Sequence, residues 1–241
     1  PEDAAAFDHG VFAVPVFALG GVERRCGVIQ TLNLLVGLAM GLNLVALGSS
    51  RLPSLIRAAA AQGVVLGLMP LVLESDDLGW RIVAVAACAV AGKGFIIPAL
   101  LRRAMRAADI ERETDPTIGL VPSILLGAGG TIAAVALAGA LPLRPEQSGL
   151  LLVPGSLACV LSGFILLVGR SKAISQVCGY LILENGIYLF GLLLIDSTPL
   201  LVEAGVLLDL TVGIFVVGII IDRIQRAFDS LDTRKLTTLH E

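Results

Sequence analysis

The chain has 241 residues, 56% of them hydrophobic and 15% charged, with a formal net charge of −3 and a mean hydropathy of +0.91. Soluble domains run to about one quarter charged residues, so lipid rather than water faces most of this surface, and the acidic balance excludes the basic footprint that nucleic-acid binding demands. The four cysteines form no CxxC pair and the two histidines, His9 and His240, lie in the tails, which excludes the usual zinc, iron–sulfur and thioredoxin spacings and leaves Cys26, Cys88, Cys159 and Cys178 as small apolar packing residues.

Residues 1–25 read as an N-terminal extension. Its apolar run at 11–19 is broken by Pro15, is too short to span a bilayer and follows no basic segment, so it reads as lying on the outer surface rather than as a cleaved signal peptide. A spanning helix needs about 20 apolar residues, and seven stretches supply them, near 26–48, 54–73, 79–101, 118–140, 149–169, 173–195 and 199–221. Turn and charge signals separate them, among them Ser49-Ser50-Arg51-Leu52-Pro53, Glu74-Ser75-Asp76-Asp77 and Gly169-Arg170-Ser171-Lys172. The predicted fold is an all-α membrane bundle of seven transmembrane helices over 26–227, followed by a tail at 228–241. Twelve lysines and arginines fall on the side of the C-terminus and four on the side of the N-terminus. That bias predicts an outer N-terminus and a cytoplasmic C-terminus. Glycines at close-packing spacing, such as Gly37 with Gly41 and Gly63 with Gly67, read as ordinary helix packing.

The informative residues are charges inside the spans. Lys93, Glu184 and Asp209 together cost roughly 8–10 kcal/mol on insertion scales, so they require compensation from partners. Lys93 lies about 13–20 Å from either end of its helix, beyond what its side chain can reach by snorkelling, and Gly92 and Gly94 leave room beside it. Glu184 has Tyr180 and Tyr188 at i−4 and i+4, on the same face, so two hydroxyls flank one carboxylate in the manner of a proton chain. Asp209 shares a face with Gly205 and Gly213, a notch that would let another helix cover it. Glu203 points about 120° away from Asp209 and lies nearer the outer surface. For each of these residues, ion or proton transfer stands beside a purely structural reading as a buried pair or interface charge. Asn33, Asn43, Gln62 and Asn185 read as bonds between helices, and Arg57 and Arg81 as residues reaching the headgroups.

The stretch SQVCGYLILENGIYLFGL at 175–192, followed by PLLVEAGVLLDLTVGIFVVGIIIDRI at 199–224, resembles the hydrogenase-4 component E family. The matching motifs are Gly179, Tyr180, Glu184, Asn185 and Gly186; Glu203, Gly205 and Asp209; and Lys93 with Pro98. The likeness covers roughly 27–241 and is strongest after 150. The family's C-terminal part is similar to the K subunit of complex I and the C subunit of multisubunit cation/proton antiporters. Asp209 matches the second membrane glutamate of the K subunit, while the first falls on Leu181, three residues before Glu184. The resemblance implies a membrane subunit of a complex I-like hydrogenase complex, residing in a bacterial or archaeal plasma membrane. It also implies antiporter-like membrane subunits, a quinone-binding-type subunit and a peripheral redox arm as partners, with no cofactor in this chain and the nickel–iron and iron–sulfur centres in those partners. An antiporter subunit without redox chemistry and a structural membrane spacer are the alternatives. The tail at 229–241 is expected to dock on a cytoplasmic partner; deleting it should lower the thermal stability of the purified complex, and an unchanged melting profile would remove that role.

Overall fold

In a computed structural model, the structure describes residues 16–73, 79–107, 116–141, 150–194, 205, 211–215 and 218, with side chains from residue 26 onward. These residues are almost wholly helical, and no strand occurs among them. Helix α1 runs over Val16–Leu47, α2 over Leu52–Gly67 and α3 over Met69–Leu73. The third long element consists of α4 (Trp80–Ala89), a π-helical segment (Val90–Ile96) and α5 (Ile97–Ala107). Then follow α6 (Leu120–Ala140), α7 (Leu152–Gly169) and α8 (Ala173–Gly191), which ends in a 3-10 turn at Leu192–Leu194.

The helix starts follow proline chemistry. A proline in the first turn loses no intrahelical bond, because the first N–H groups have no partner there anyway. Pro53, Pro122 and Pro154 sit near the starts of α2, α6 and α7, and α1 begins directly after Pro15. Residues 16–25 therefore continue into the first span as one helix. Pro98 falls instead inside a long helix, where its ring crowds the carbonyl four residues back. The chain widens there: the Ile97 N–H bonds the Gly92 carbonyl, five residues earlier. Gly92 and Gly94, on either side of Lys93, lie within that widened turn.

Five helices among the described residues are long and apolar enough to cross a membrane: Cys26–Leu47, Leu52–Leu73, Trp80–Ala107, Leu120–Ala140 and Leu152–Gly169. They correspond to the first five expected spans. The sixth expected span, α8, has the length, but Gln176, Glu184, Asn185 and two tyrosines dilute its apolar character. Most of the seventh lies outside the described residues; 205, 211–215 and 218 within it are helical. Lipid-facing side chains are large and apolar, as on α6, where Val121, Leu125, Leu126 and Ile132 are exposed.

The interior is layered. One apolar cluster joins Ala46 and Leu47 of α1 to Leu55 and Ile56 of α2, Ile97 and Leu101 of α5, Leu166 of α7 and Cys178 of α8. A second joins Leu32 and Val36 to Leu66, Leu152 and Leu189. Between the two layers lie the buried polar residues Asn43, Gln62, Lys93, Glu184 and Asn185, among others.

Helices α7 and α8 meet backbone to backbone. A Cβ on Gly186 would stand 2.7 Å from the Ser156 carbonyl oxygen and the Val160 nitrogen, and one on Gly179 would stand 2.8 Å from the Leu167 nitrogen. Gly63 does the same for α2 and the π segment, with the Lys93 Cβ at 2.7 Å, and a Cβ on Gly67 would meet Val90 at 2.8 Å. Gly37 and Gly41 differ: a Cβ added to either would meet nothing within 4 Å among the described residues. The expected outcomes follow from these contacts. Gly186→Leu should lose about 1–3 kcal/mol through overpacking, whereas Gly41→Ala should be neutral or gain up to about 1 kcal/mol in helix propensity. Thermal unfolding of the purified chain in detergent reads both.

Candidate functional site: a buried lysine in a mid-membrane polar layer

Lys93 enters the mid-depth layer from the widened turn before Pro98, and α8 supplies most of what surrounds it. Its Nζ donates to Asn185 Oδ1 at 3.1 Å, lies 4.0 Å from Glu184 Oε2, and stands 5.6 Å from the centre of the Tyr188 ring, within the range of a cation–π contact. Glu184, Asn185 and Tyr188 share one face of α8, because residues three and four apart are neighbours on a helix. Lys93 is 9% exposed and Glu184 5%, so this cation and carboxylate sit where a lone charge would be expensive. Opposite charges at this separation offset that cost, and the ring face and the amide add to the compensation.

Tyr180 donates to Glu184 Oε1 over a long 3.5 Å bond. The expected stack of Tyr180, Glu184 and Tyr188 is therefore present, but its two ends differ: one offers a hydroxyl to the acid, the other a ring face to the amine. A Cβ on Gly213 would lie 3.8 Å from Glu184 Oε2 and 3.1 Å from Ile97, so the helical residues at 211–215 pass beside the carboxylate. Asp209 and Glu203 lie outside the described residues. A cavity of about 10 Å³, lined by Gly63, Gly67, Lys93, Asn185 and Tyr188 among others, adjoins the ammonium; that is room for about one water molecule.

The layer continues away from the charges. Asn185 Nδ2 donates to Gln62 Oε1 at 3.3 Å, Gln62 Nε2 to Asn43 Oδ1 at 2.9 Å and to Cys159 Sγ at 3.3 Å, and Asn43 Nδ2 to Cys159 Sγ at 3.2 Å. Asn43, Gln62 and Asn185 do bond between helices as expected, but they also join Lys93 in one network drawn from α1, α2, the π segment, α7 and α8. Asn33 stands apart, accepting from the Leu151 N–H at the start of α7. Cys159 corrects the reading of the cysteines as apolar filler, since its sulfur accepts from two amides. Cys178 packs in an apolar layer, and Cys26 and Cys88 are exposed.

Arg170 was expected in a basic loop, yet it is 2% exposed. Its guanidinium Nη2 donates to the Leu47 carbonyl at 2.5 Å, which satisfies the open C-terminus of α1 and places a cation at the negative end of that helix. The only sequence signal was an arginine directly after the Gly169 that ends α7. Arg57 and Arg81 are exposed. No group of three or more His, Cys, Asp or Glu that could hold a metal occurs among the described residues.

Comparison with known proteins gives a broad match and a narrow one. The uncharacterized protein Rv0085 of Mycobacterium tuberculosis is 33% identical over 193 residues, 79% of this chain and 87% of that protein. Hydrogenase-4 component E of Escherichia coli K12 is 33% identical over 79 residues, 33% of this chain and 37% of that protein, and the Shigella flexneri protein of that name matches to the same extent. No family model matches, and no solved structure matches.

The pairing makes a direct prediction. Lys93→Met removes the ammonium from beside the buried Glu184 and should cost about 3–5 kcal/mol. The double variant Lys93→Met/Glu184→Gln should recover most of that loss. Unfolding of the three variants and the parent in detergent measures the coupling, and additive losses would mean that the two charges do not depend on each other.

Proposed function

The chain belongs to the same family as the uncharacterized protein Rv0085 of Mycobacterium tuberculosis, and from that premise we propose that it is a multi-pass subunit of a redox-driven, complex I-like hydrogenase complex, contributing buried charges to proton or cation translocation. The partial likeness to hydrogenase-4 component E supports the type of complex. The observation that carries the chemistry is the Lys93–Glu184 couple, held at 4.0 Å in the middle of an apolar bundle. An amine and an acid this close, beside a cavity with room for about one water molecule, are the groups that a proton relay requires. Tyr180 on one side and the amide layer on the other extend the polar path, and Asp209 and Glu203 would continue it along the last helix. Seven spans, an outer N-terminus and a plasma-membrane location belong to this proposal, as do antiporter-like partners and metal centres housed in neighbouring subunits.

A structural spacer is the second reading. The neutral chain from Asn185 to Cys159 favours it, because amides hold helices in register without carrying charge. Glu184→Gln and Asp209→Asn separate the two readings. On the proposed reading both variants assemble and pass electrons at the parental rate, while proton translocation per electron falls severalfold. Parental coupling in both variants would leave the spacer. Mass spectrometry of the purified complex tests the setting: nickel or iron–sulfur proteins should co-purify, and antiporter subunits alone would move the chain to an exchanger without redox chemistry.

A further inference from the structure

The spacing between Lys93 and Glu184 needs a cause. Opposite charges buried together ordinarily close to a charge-assisted hydrogen bond of about 2.7–2.9 Å, yet here the ammonium is 4.0 Å from Oε2 and nearer, at 3.1 Å, to the neutral Asn185 Oδ1. We propose that Asn185, Gln62 and Asn43 are positioning residues for Lys93, forming a one-way amide chain that ends on Cys159 and holds the ammonium back from Glu184. This role rests on the reading of the couple as a proton relay.

The direction of the chain follows from donor chemistry. A lysine ammonium only donates, so it fixes the Asn185 amide with its oxygen toward the amine and its NH₂ away. That NH₂ meets the Gln62 oxygen at 3.3 Å, which sends the Gln62 NH₂ toward the Asn43 oxygen at 2.9 Å and the Cys159 sulfur at 3.3 Å. The Asn43 NH₂ then meets the same sulfur at 3.2 Å. Every amide presents oxygen toward Lys93 and nitrogen away from it, so the bond dipoles align and polarise one another. The two donor-rich ends converge on a thiol, which can also act as a donor if the chain reverses. Asn43, Gln62 and Asn185 are each 1% exposed, so bulk water does not compete for these bonds. Beyond Asn185 the chain is anchored on helices that do not carry the charges: Gln62 also reaches the Ala39 carbonyl of α1 at 3.5 Å, and Gly63, the next residue, brings α2 against the Lys93 backbone.

Two measurements test this. Gln62→Met removes the central link at similar volume, and a cryo-EM structure of the full chain in its complex should show Asn185 turned and the Nζ–Oε2 distance closed to about 2.8 Å. An unmoved Asn185 with the distance still at 4.0 Å would overturn the proposal. The second measurement does not depend on that variant folding. With Cys26, Cys88 and Cys178 replaced by alanine, the Cys159 S–H stretch is the one thiol band of the full chain in nanodiscs. Lys93→Met/Glu184→Gln should shift that band to lower frequency, because the freed chain can reverse and let the thiol donate to Asn43 Oδ1. An unchanged band would overturn the directional chain. Neither measurement reads translocation. Parental coupling in Glu184→Gln would remove the relay while leaving this geometry standing, and the reverse outcome would remove only the positioning role.

Discussion

The architecture depends on keeping an ammonium and a carboxylate out of water at mid-depth in a bundle of apolar helices. Such a pair is tolerable only when its attraction and additional hydrogen bonds offset desolvation. Three described features around Lys93 each meet part of that demand: the Glu184 carboxylate at 4.0 Å, the Asn185 oxygen at 3.1 Å and the Tyr188 ring face. The apolar clusters above and below shield the layer from bulk solvent and strengthen its bonds. The same low dielectric that makes the layer expensive makes it specific, since a helix sliding by one turn would leave several polar groups without partners.

Glycine and proline set the backbone that this layer requires. Pro98 forces the widened turn from which Lys93 emerges, and Gly63 admits that turn against α2. Gly179 and Gly186 seat α8 directly on the α7 backbone, which fixes the rotation of the face carrying Glu184, Asn185 and Tyr188. A π segment is a rare departure from regular helix geometry, and here its cause can be read from the residues around it.

Much of this was legible in the sequence, for a physical reason: a charge in a 20-residue apolar run is conspicuous whatever the fold. Lys93 and Glu184 stood out in that way, and the i±4 tyrosines followed from helix periodicity. The first five spans were legible from length and apolarity, with α5 extending past the expected end because Arg102, Arg103 and Arg106 favour a helix as readily as apolar residues do. Partnership was not legible. Nothing in the order of residues says that Asn43, Gln62 and Cys159, scattered over more than a hundred positions, meet at one depth beside Lys93. Arg170 escaped for the opposite reason: in sequence it belongs to a basic turn, and in the fold the end of α1 gives it a buried acceptor. Gly37 and Gly41 show that small-residue spacing alone does not identify the partner.

Membership of the Rv0085 family rests on a match over most of both chains, while the proposed chemistry rests on the couple itself. Infrared difference spectroscopy of the working complex tests that chemistry most directly, with the carboxyl band of Glu184 assigned by its loss in Glu184→Gln. The account predicts a carboxylic-acid band that rises and decays within each turnover as Glu184 takes up and releases a proton. A band that stays constant from rest through steady turnover would contradict it.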